Sequence, residues 1–114
     1  MSVDVQIPGK GYAQIIARMG GLREYTEGYV LKLHHSGYWE LFLNSHLILA
    51  SGYVKMKANA WHNLKLKCVD DTIEVLIDGH SLTRISNDVV KSGLVGLGSS
   101  WDRVRFDNLS IQKL

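Results

Sequence analysis

The sequence holds a single cysteine, Cys68, so no disulfide can form within the chain and the fold must stand on packing alone. That argues for a reducing compartment, although secreted domains without disulfides also occur and the point stays open. No apolar run approaches the roughly 18 residues of a membrane-spanning helix. The opening stretch MSVDVQIPGKG carries Asp4 and Gln6 inside its apolar run and has no basic leader, so it does not read as a signal peptide. An excess of one charge is also missing. The formal net charge is +2, with the basic residues scattered along the chain, and this excludes the electrostatic footprint of a nucleic-acid binder.

Helical stripes, sequence repeats and low-complexity linkers are absent as well. With 114 residues, splitting the chain would leave each half too small to bury enough apolar surface, so residues 1–114 read as one domain. Metal-ligand spacing is missing among the histidines. His34 and His35 are neighbours beside a turn and point to opposite faces of a strand, and His46, His62 and His80 stand singly, which reads as surface or turn histidine. Cys68 alternates with Leu64 and Leu66 and reads as a small buried hydrophobe. The stretch GLVGLGSS has neither the Walker spacing nor a following helix, and reads as a strand in which glycine permits close approach.

What the chain does have is alternation with period two, in segments of about five to eight residues bounded by Gly, Asn, Asp or Ser. The first is SVDVQI, with Val3, Val5 and Ile7 on one face, ended by Pro8-Gly9. YAQIIARM follows and turns at Gly20-Gly21. GYVLKLHHSGYWELFLNSHLILASG reads as a three-stranded meander, aligning Tyr29, Leu31 and Leu33, then Trp39, Leu41 and Leu43, then Leu47 and Leu49. YVKMKA is a short extension before WHNLKLKCV, in which Leu64, Leu66 and Cys68 face inward. In TIEVLID, Ile73, Val75 and Ile77 alternate with Glu74, and Asp78-Gly79 is the strongest two-residue hairpin signal in the chain. HSLTRIS, SGLVGLGS and RVRFDNLSIQ complete the set. Roughly nine or ten short strands at this spacing predict an all-β, antiparallel sandwich of two sheets.

The order WHNLKLKCVDDTIEVLIDGHSL, then SGLVGLGSS, then VRFDNLSI resembles the concanavalin A-like (laminin G-like) jelly-roll lectin modules attached to glycosidases, and among them the galactocerebrosidase C-terminal lectin domains. The matching places are Trp61, Ile77-Asp78-Gly79, Gly93 to Gly98, and Phe106-Asp107-Asn108. The resemblance implies a jelly-roll sandwich, a core position for Trp61, and a secreted or lysosomal parent. Those modules carry further strands before the segment matching SVDVQI. Their absence here leaves a sheet edge exposed, which proteins cover, charge or pair with another chain, so homodimerisation through that edge is one expectation. Some jelly-roll relatives are glucanases that use Glu-x-Asp-x-x-Glu on one strand face to set a nucleophile and an acid about 5 Å apart. Glu24, Glu27, Glu40 and Glu74 lie in separate segments, Glu40 and Glu74 on the solvent side of alternating strands, and the chain is expected not to be an enzyme.

Candidate ligand-binding residues are Trp101, Asp102, Arg23 and Tyr38. Trp101 sits among Ser99, Ser100 and Asp102 in a loop, where an indole can stack on the apolar face of a pyranose while carboxylate and amide groups take its hydroxyls; the alternative is a side chain that caps the end of the sandwich. Arg23 belongs to the glycine-edged MGGLREYTEG loop, and Tyr53 and Tyr25 are weaker candidates beside Tyr38. The resemblance also implies a structural calcium, for which Asp107 matches a family ligand. If the last strand slips by a bulge after Phe106, Asp107 turns toward Asp4 on the first strand, and two carboxylates so placed invite a hard cation. Otherwise Asp107 bonds nearby backbone or pairs with Arg103 or Arg105. The function expected is carbohydrate (glycan) binding by a lectin-like or accessory module of a glycosidase, with an assembly module acting through its exposed edge as the alternative.

Overall fold

The computed structural model describes residues 1–20, 27–44, 46–100 and 102–112, with nothing of the Glu27 side chain. Ten strands run in chain order: β1 (Ser2–Gln6), β2 (Tyr12–Gly20), β3 (Glu27–His34), β4 (Tyr38–Leu43), β5 (Leu47–Tyr53), β6 (Trp61–Val69), β7 (Thr72–Ile77), β8 (His80–Ser86), β9 (Leu94–Ser99) and β10 (Arg105–Ser110). They form two antiparallel five-stranded sheets, β10-β1-β6-β7-β8 and β5-β4-β3-β2-β9. No helix occurs among the described residues. The predicted all-β sandwich of jelly-roll type is the architecture observed.

Alternation explains the layers. Val3 and Val5 on β1, Ala13 and Ile15 on β2, Tyr29, Leu31 and Leu33 on β3, Trp39, Leu41 and Leu43 on β4, Leu64 and Leu66 on β6, and Ile73, Val75 and Ile77 on β7 share one core between the sheets. Each Val, Leu or Ile of this set removed from water contributes about 1.5–3 kcal/mol against the cost of ordering the chain. The single buried hydroxyl of that set is satisfied, since Tyr29 Oη donates to Asn87 Oδ1 at 2.6 Å.

Two places depart from the sequence expectation. On β5 a bulge separates the pairs Leu41↔Ala50 and Phe42↔Ile48, so Leu49 is the extra residue and the phase changes; Leu49 still packs on the core, joined there by Ala50, while Leu47 is half exposed. On β6 the inward set is His62, Leu64 and Leu66, which puts Trp61 on the outer face at 47% exposure. The core position expected of Trp61 is therefore corrected: strict alternation from Leu64 gives the inward place to His62. YVKMKA is no strand beyond Tyr53; it carries the chain from one sheet to the other, with Val54 and Met56 packed on the core.

Candidate functional site

The outer face of the β5-β4-β3-β2 sheet carries a row of rings at one end. Tyr12 is the first residue of β2, His34 the last of β3, Tyr38 the first of β4 and Tyr53 the last of β5. Tyr12 is paired with His34 and Tyr38 with Tyr53 in register, so the four stand side by side across the strands. Ring centroids are separated by 5.8 Å for Tyr12–His34, 5.6 Å for His34–Tyr38 and 5.0 Å for Tyr38–Tyr53, all in tilted arrangements. Such offsets suit aromatic contacts better than face-to-face stacking.

Two residues further along each strand, on the same face, lies a polar row: Gln14, Lys32, Glu40 and Ser51, again in register. Its central members are already tied to the rings. The Lys32 ammonium lies 4.3 Å from the Tyr12 ring centre and 5.6 Å from that of Phe42. His34 Nε2 donates to Glu40 Oε1 at 2.8 Å. Beyond the polar row the face turns apolar, with Ile16 and Val30 buried. On the neighbouring edge strand Gly98 lets Gln14 lie flat, because a Cβ there would come within 2.6 Å of the Gln14 Nε2. This is the close approach that the glycine strand predicts.

Of the sequence-predicted ligand residues, Tyr38 lies inside this row. Asp102 lies beside its Tyr12 end: Ser100 N donates to the Tyr12 carbonyl and Tyr12 N to Ser100 Oγ, each at 3.1 Å, and Asp102 Oδ1 is 3.6 Å from Lys10 Nζ. The fold thus brings Tyr38 and Asp102 to the same end of one sheet. Trp101 and Arg23 lie outside the described residues, as does Tyr25. The strand ends that flank the Arg23 loop, Gly20 and Glu27, are register partners at the opposite end of the sheet from Tyr12 and His34. Tyr12, His34, Lys32, Gln14 and Ser51 were not singled out by sequence. A signal was available: in a meander, the last residue of one strand and the first of the next lie together, and aromatic residues fill those out-of-core places on all four strands.

Asp4 and Asp107 are register partners on β1 and β10, and the strand slips just after Asp107, where Asn108 takes a φ of 54°. The pairing with Asp4 is as the sequence reasoning describes, but the bulge falls one residue later, after Asp107 and not after Phe106. Asp4, however, accepts the side-chain amide of Asn108 at 2.7 Å through Oδ2 and that of Asn63 at 3.0 Å through Oδ1. These two bonds hold its carboxyl below the usual aspartate range, the Asn108 bond most. Asp107 Oδ1 accepts the Asn108 backbone N–H at 2.7 Å. Calcium wants about six to eight oxygen ligands, and both oxygens of Asp4 face N–H donors. No group of three or more His, Cys, Asp or Glu comes together among the described residues. The donor set in this arrangement does not fit the ion.

Three further groups, His62, Glu74 and Cys68, lie outside the ring row. His62, read as a surface histidine, is 9% exposed; its Nδ1 donates to Asp78 Oδ2 at 2.7 Å, and its Nε2 is buried without a partner. Glu74 points to the solvent side as expected but is only 8% exposed, because Ser81 Oγ and Arg84 donate to its Oε2 at 2.7 and 3.3 Å. The Ser81 bond chiefly lowers its pKa. Cys68 is half-buried, at a cleft of about 340 Å³ between the sheets, and burial pushes its thiol pKa up, opposite to what a nucleophile needs.

A family profile described as galactocerebrosidase, C-terminal lectin domain, matches residues 1–114. No curated protein sequence matches the chain. Among solved structures, the carbohydrate binding module CBM66 from Bacillus subtilis is similar with a TM-score of 0.76 at 20% sequence identity, over 94% of this chain and 70% of that one. That likeness is one of fold.

Proposed function

Because the chain belongs to the galactocerebrosidase C-terminal lectin domain family, we propose that it is a non-catalytic, lectin-like carbohydrate-binding module, and that it serves as an accessory unit to a glycosidase. The observation that carries this reading is the row Tyr12, His34, Tyr38 and Tyr53 with a polar group beside each ring. Sugars present apolar C–H faces and equatorial hydroxyls at once, and a surface of rings flanked by Gln14, Lys32, Glu40 and Ser51 answers both. Sites for small ligands generally combine aromatic lining with a few placed polar groups in this way. Asp102, beside Tyr12, extends the polar set, and Trp101, its neighbour in the chain, is proposed as a further contact, whereas Arg23 is not assigned to this face because the strand ends that flank its loop, Gly20 and Glu27, lie at the other end of the sheet. The named solved relative is itself a carbohydrate binding module.

A glycan array followed by titration tests the reading. Binding of at least one saccharide is expected, weakened at least about tenfold by Tyr38→Ala through loss of stacking on both ring neighbours. Failure of every saccharide to bind overturns it.

A second reading is favoured by a separate observation. The edge strands β9 and β10 and the chain after β10 expose Leu94 (66%), Leu97 (40%), Leu109 (49%) and Ile111 (58%) around the open side of the sandwich. Exposed edges with apolar residues invite pairing with another chain, and homodimerisation through this side is the assembly alternative. A monomeric mass in sedimentation at high micromolar concentration counts against it.

A further inference from the structure

Resting on the sugar-binding reading, we propose that the ring face of the β2–β5 sheet takes a neutral, extended oligosaccharide of roughly three to four units laid across the strands, in preference to one terminal sugar.

The face is periodic in the direction that matters. Each strand contributes one ring and, two residues away, one polar group: Tyr12 with Gln14 on β2, His34 with Lys32 on β3, Tyr38 with Glu40 on β4, and Tyr53 with Ser51 on β5. The pairs recur once per strand, at about 4.8 Å, and the ring centroids follow at 5.0–5.8 Å. A pyranose unit in an extended chain is about as long as one strand spacing. A repeated ligand therefore meets a repeated surface, one ring and one hydrogen-bonding group per unit, whereas a single sugar can use only one pair.

The Tyr53 end of the row points the same way. Tyr53 stands on the edge strand β5 at 77% exposure, with no strand beyond it to close off a chain end. Among the described residues, three clefts of about 340, 300 and 370 Å³ have walls that include none of the four rings. A terminal residue is recognised by enclosing it; an internal stretch is recognised by letting the chain run on. Charge adds a further condition. Lys32 and Glu40 are register partners at the centre of the row and cancel, which favours a neutral polymer over an acidic one. The Lys32–Tyr12 and His34–Glu40 contacts order these side chains before any ligand arrives, reducing the entropy cost of binding.

The test is calorimetric titration of the whole chain with β-1,4-linked gluco-, xylo- and galacto-oligosaccharides of one to six units, beside the glycan array. Affinity is expected to rise at least about tenfold from the monosaccharide to the tri- or tetrasaccharide of the series that binds, and then to level off. Tyr12→Ala and Tyr53→Ala, both surface changes checked by circular dichroism, each weaken the tetrasaccharide about threefold to tenfold and so flatten the rise of affinity with chain length. A monosaccharide that binds within about twofold of its tetrasaccharide overturns this inference while sugar binding survives. Binding confined to acidic or branched glycans overturns it too. No binding by any saccharide removes both the inference and the reading beneath it.

Discussion

His62 Nδ1 lies 2.7 Å from Asp78 Oδ2, which fastens the inner face of β6 to the β7–β8 turn. The same carboxylate accepts the Asn63 N–H at 2.8 Å through Oδ1, and the Asp78 N–H returns to the Asn63 carbonyl at 2.9 Å. Asp78 also sits at a φ of 51°, which Asp and Asn tolerate better than other side chains. Asp78→Ala leaves a buried imidazole donor without an acceptor and is expected to destabilise the fold by about 1–3 kcal/mol. Asp78→Asn, which keeps one acceptor and the backbone preference, costs less. Urea unfolding of both variants, with unchanged slope, checks the order; equal stability of the wild type and Asp78→Ala removes the role assigned to this pair.

Two of the three tryptophans, Trp39 and Trp61, differ in what their removal costs. Trp39 is 4% exposed and packs over Gly52, whereas Trp61 is 47% exposed on the outer face of β6. Trp39→Ala is expected to cost about 3–5 kcal/mol as a core truncation. Trp61→Ala should stay within about 1 kcal/mol. Thermal or urea unfolding of the pair distinguishes this arrangement from one in which Trp61 belongs to the core.

That contrast shows where sequence reading stops. Val3, Val5, Leu31, Leu33, Leu41, Leu64, Leu66 and Val75 are legible because alternation alone puts them on one face. Asp78-Gly79 is legible because its turn chemistry is local. The bulge at Leu49 is not, since a bulge is a two-strand property and leaves no mark on one strand. His62 misleads because a polar residue in an inward phase looks like an exception until its partner, sixteen residues on, is found. The ring row is intermediate: Tyr38 stands out in the sequence, but Tyr12 and Tyr53 join it only through register across three strand pairings.

Glu74 sets an acid limb of stability. Its folded pKa is lowered, first by the Ser81 hydrogen bond and also by Arg84. The unfolded chain therefore takes up this proton at higher pH than the native state does. The stability Glu74 contributes is complete above the unfolded value of about 4.3 and is lost as pH falls through the lower folded value. Glu74→Gln should flatten the pH dependence of urea midpoints in that range, and Ser81→Ala should raise the carboxyl titration point seen by carbon NMR. A Glu74 titration unmoved by Ser81→Ala contradicts the assignment.

The same logic applies to Asp4, where amide donors from Asn108 and Asn63 stand at both carboxylate oxygens. Donors at these oxygens oppose a cation, so the melting temperature is expected to be indifferent to added calcium and to chelator. Asn108→Ala should raise the Asp4 titration point, because the Asn108 bond contributes most to lowering it. A rise of several degrees in melting temperature on adding calcium would show that these amides turn away in solution and that Asp4 and Asp107 share an ion.

Gly37 links stability to the proposed site. It lies in the β3–β4 turn at a φ of +93°, donates its N–H to the His34 carbonyl at 2.9 Å and accepts the Val54 N–H at 2.9 Å. A Cβ at this position collides with the Val54 carbonyl oxygen, which is backbone and cannot step aside. Gly79 is the control, with a φ of +79° and nothing within 4 Å of a Cβ. Gly79→Ala should cost only the left-handed backbone penalty of about 1–2 kcal/mol. Gly37→Ala must add the collision to that penalty, so it is expected to be the more destabilising of the two. It should also move Tyr38 relative to His34, weakening saccharide binding in whatever fraction remains folded, while Gly79→Ala leaves binding unchanged. Equal costs for the two alanines would mean that the turn yields at Val54 and does not fix the ring row.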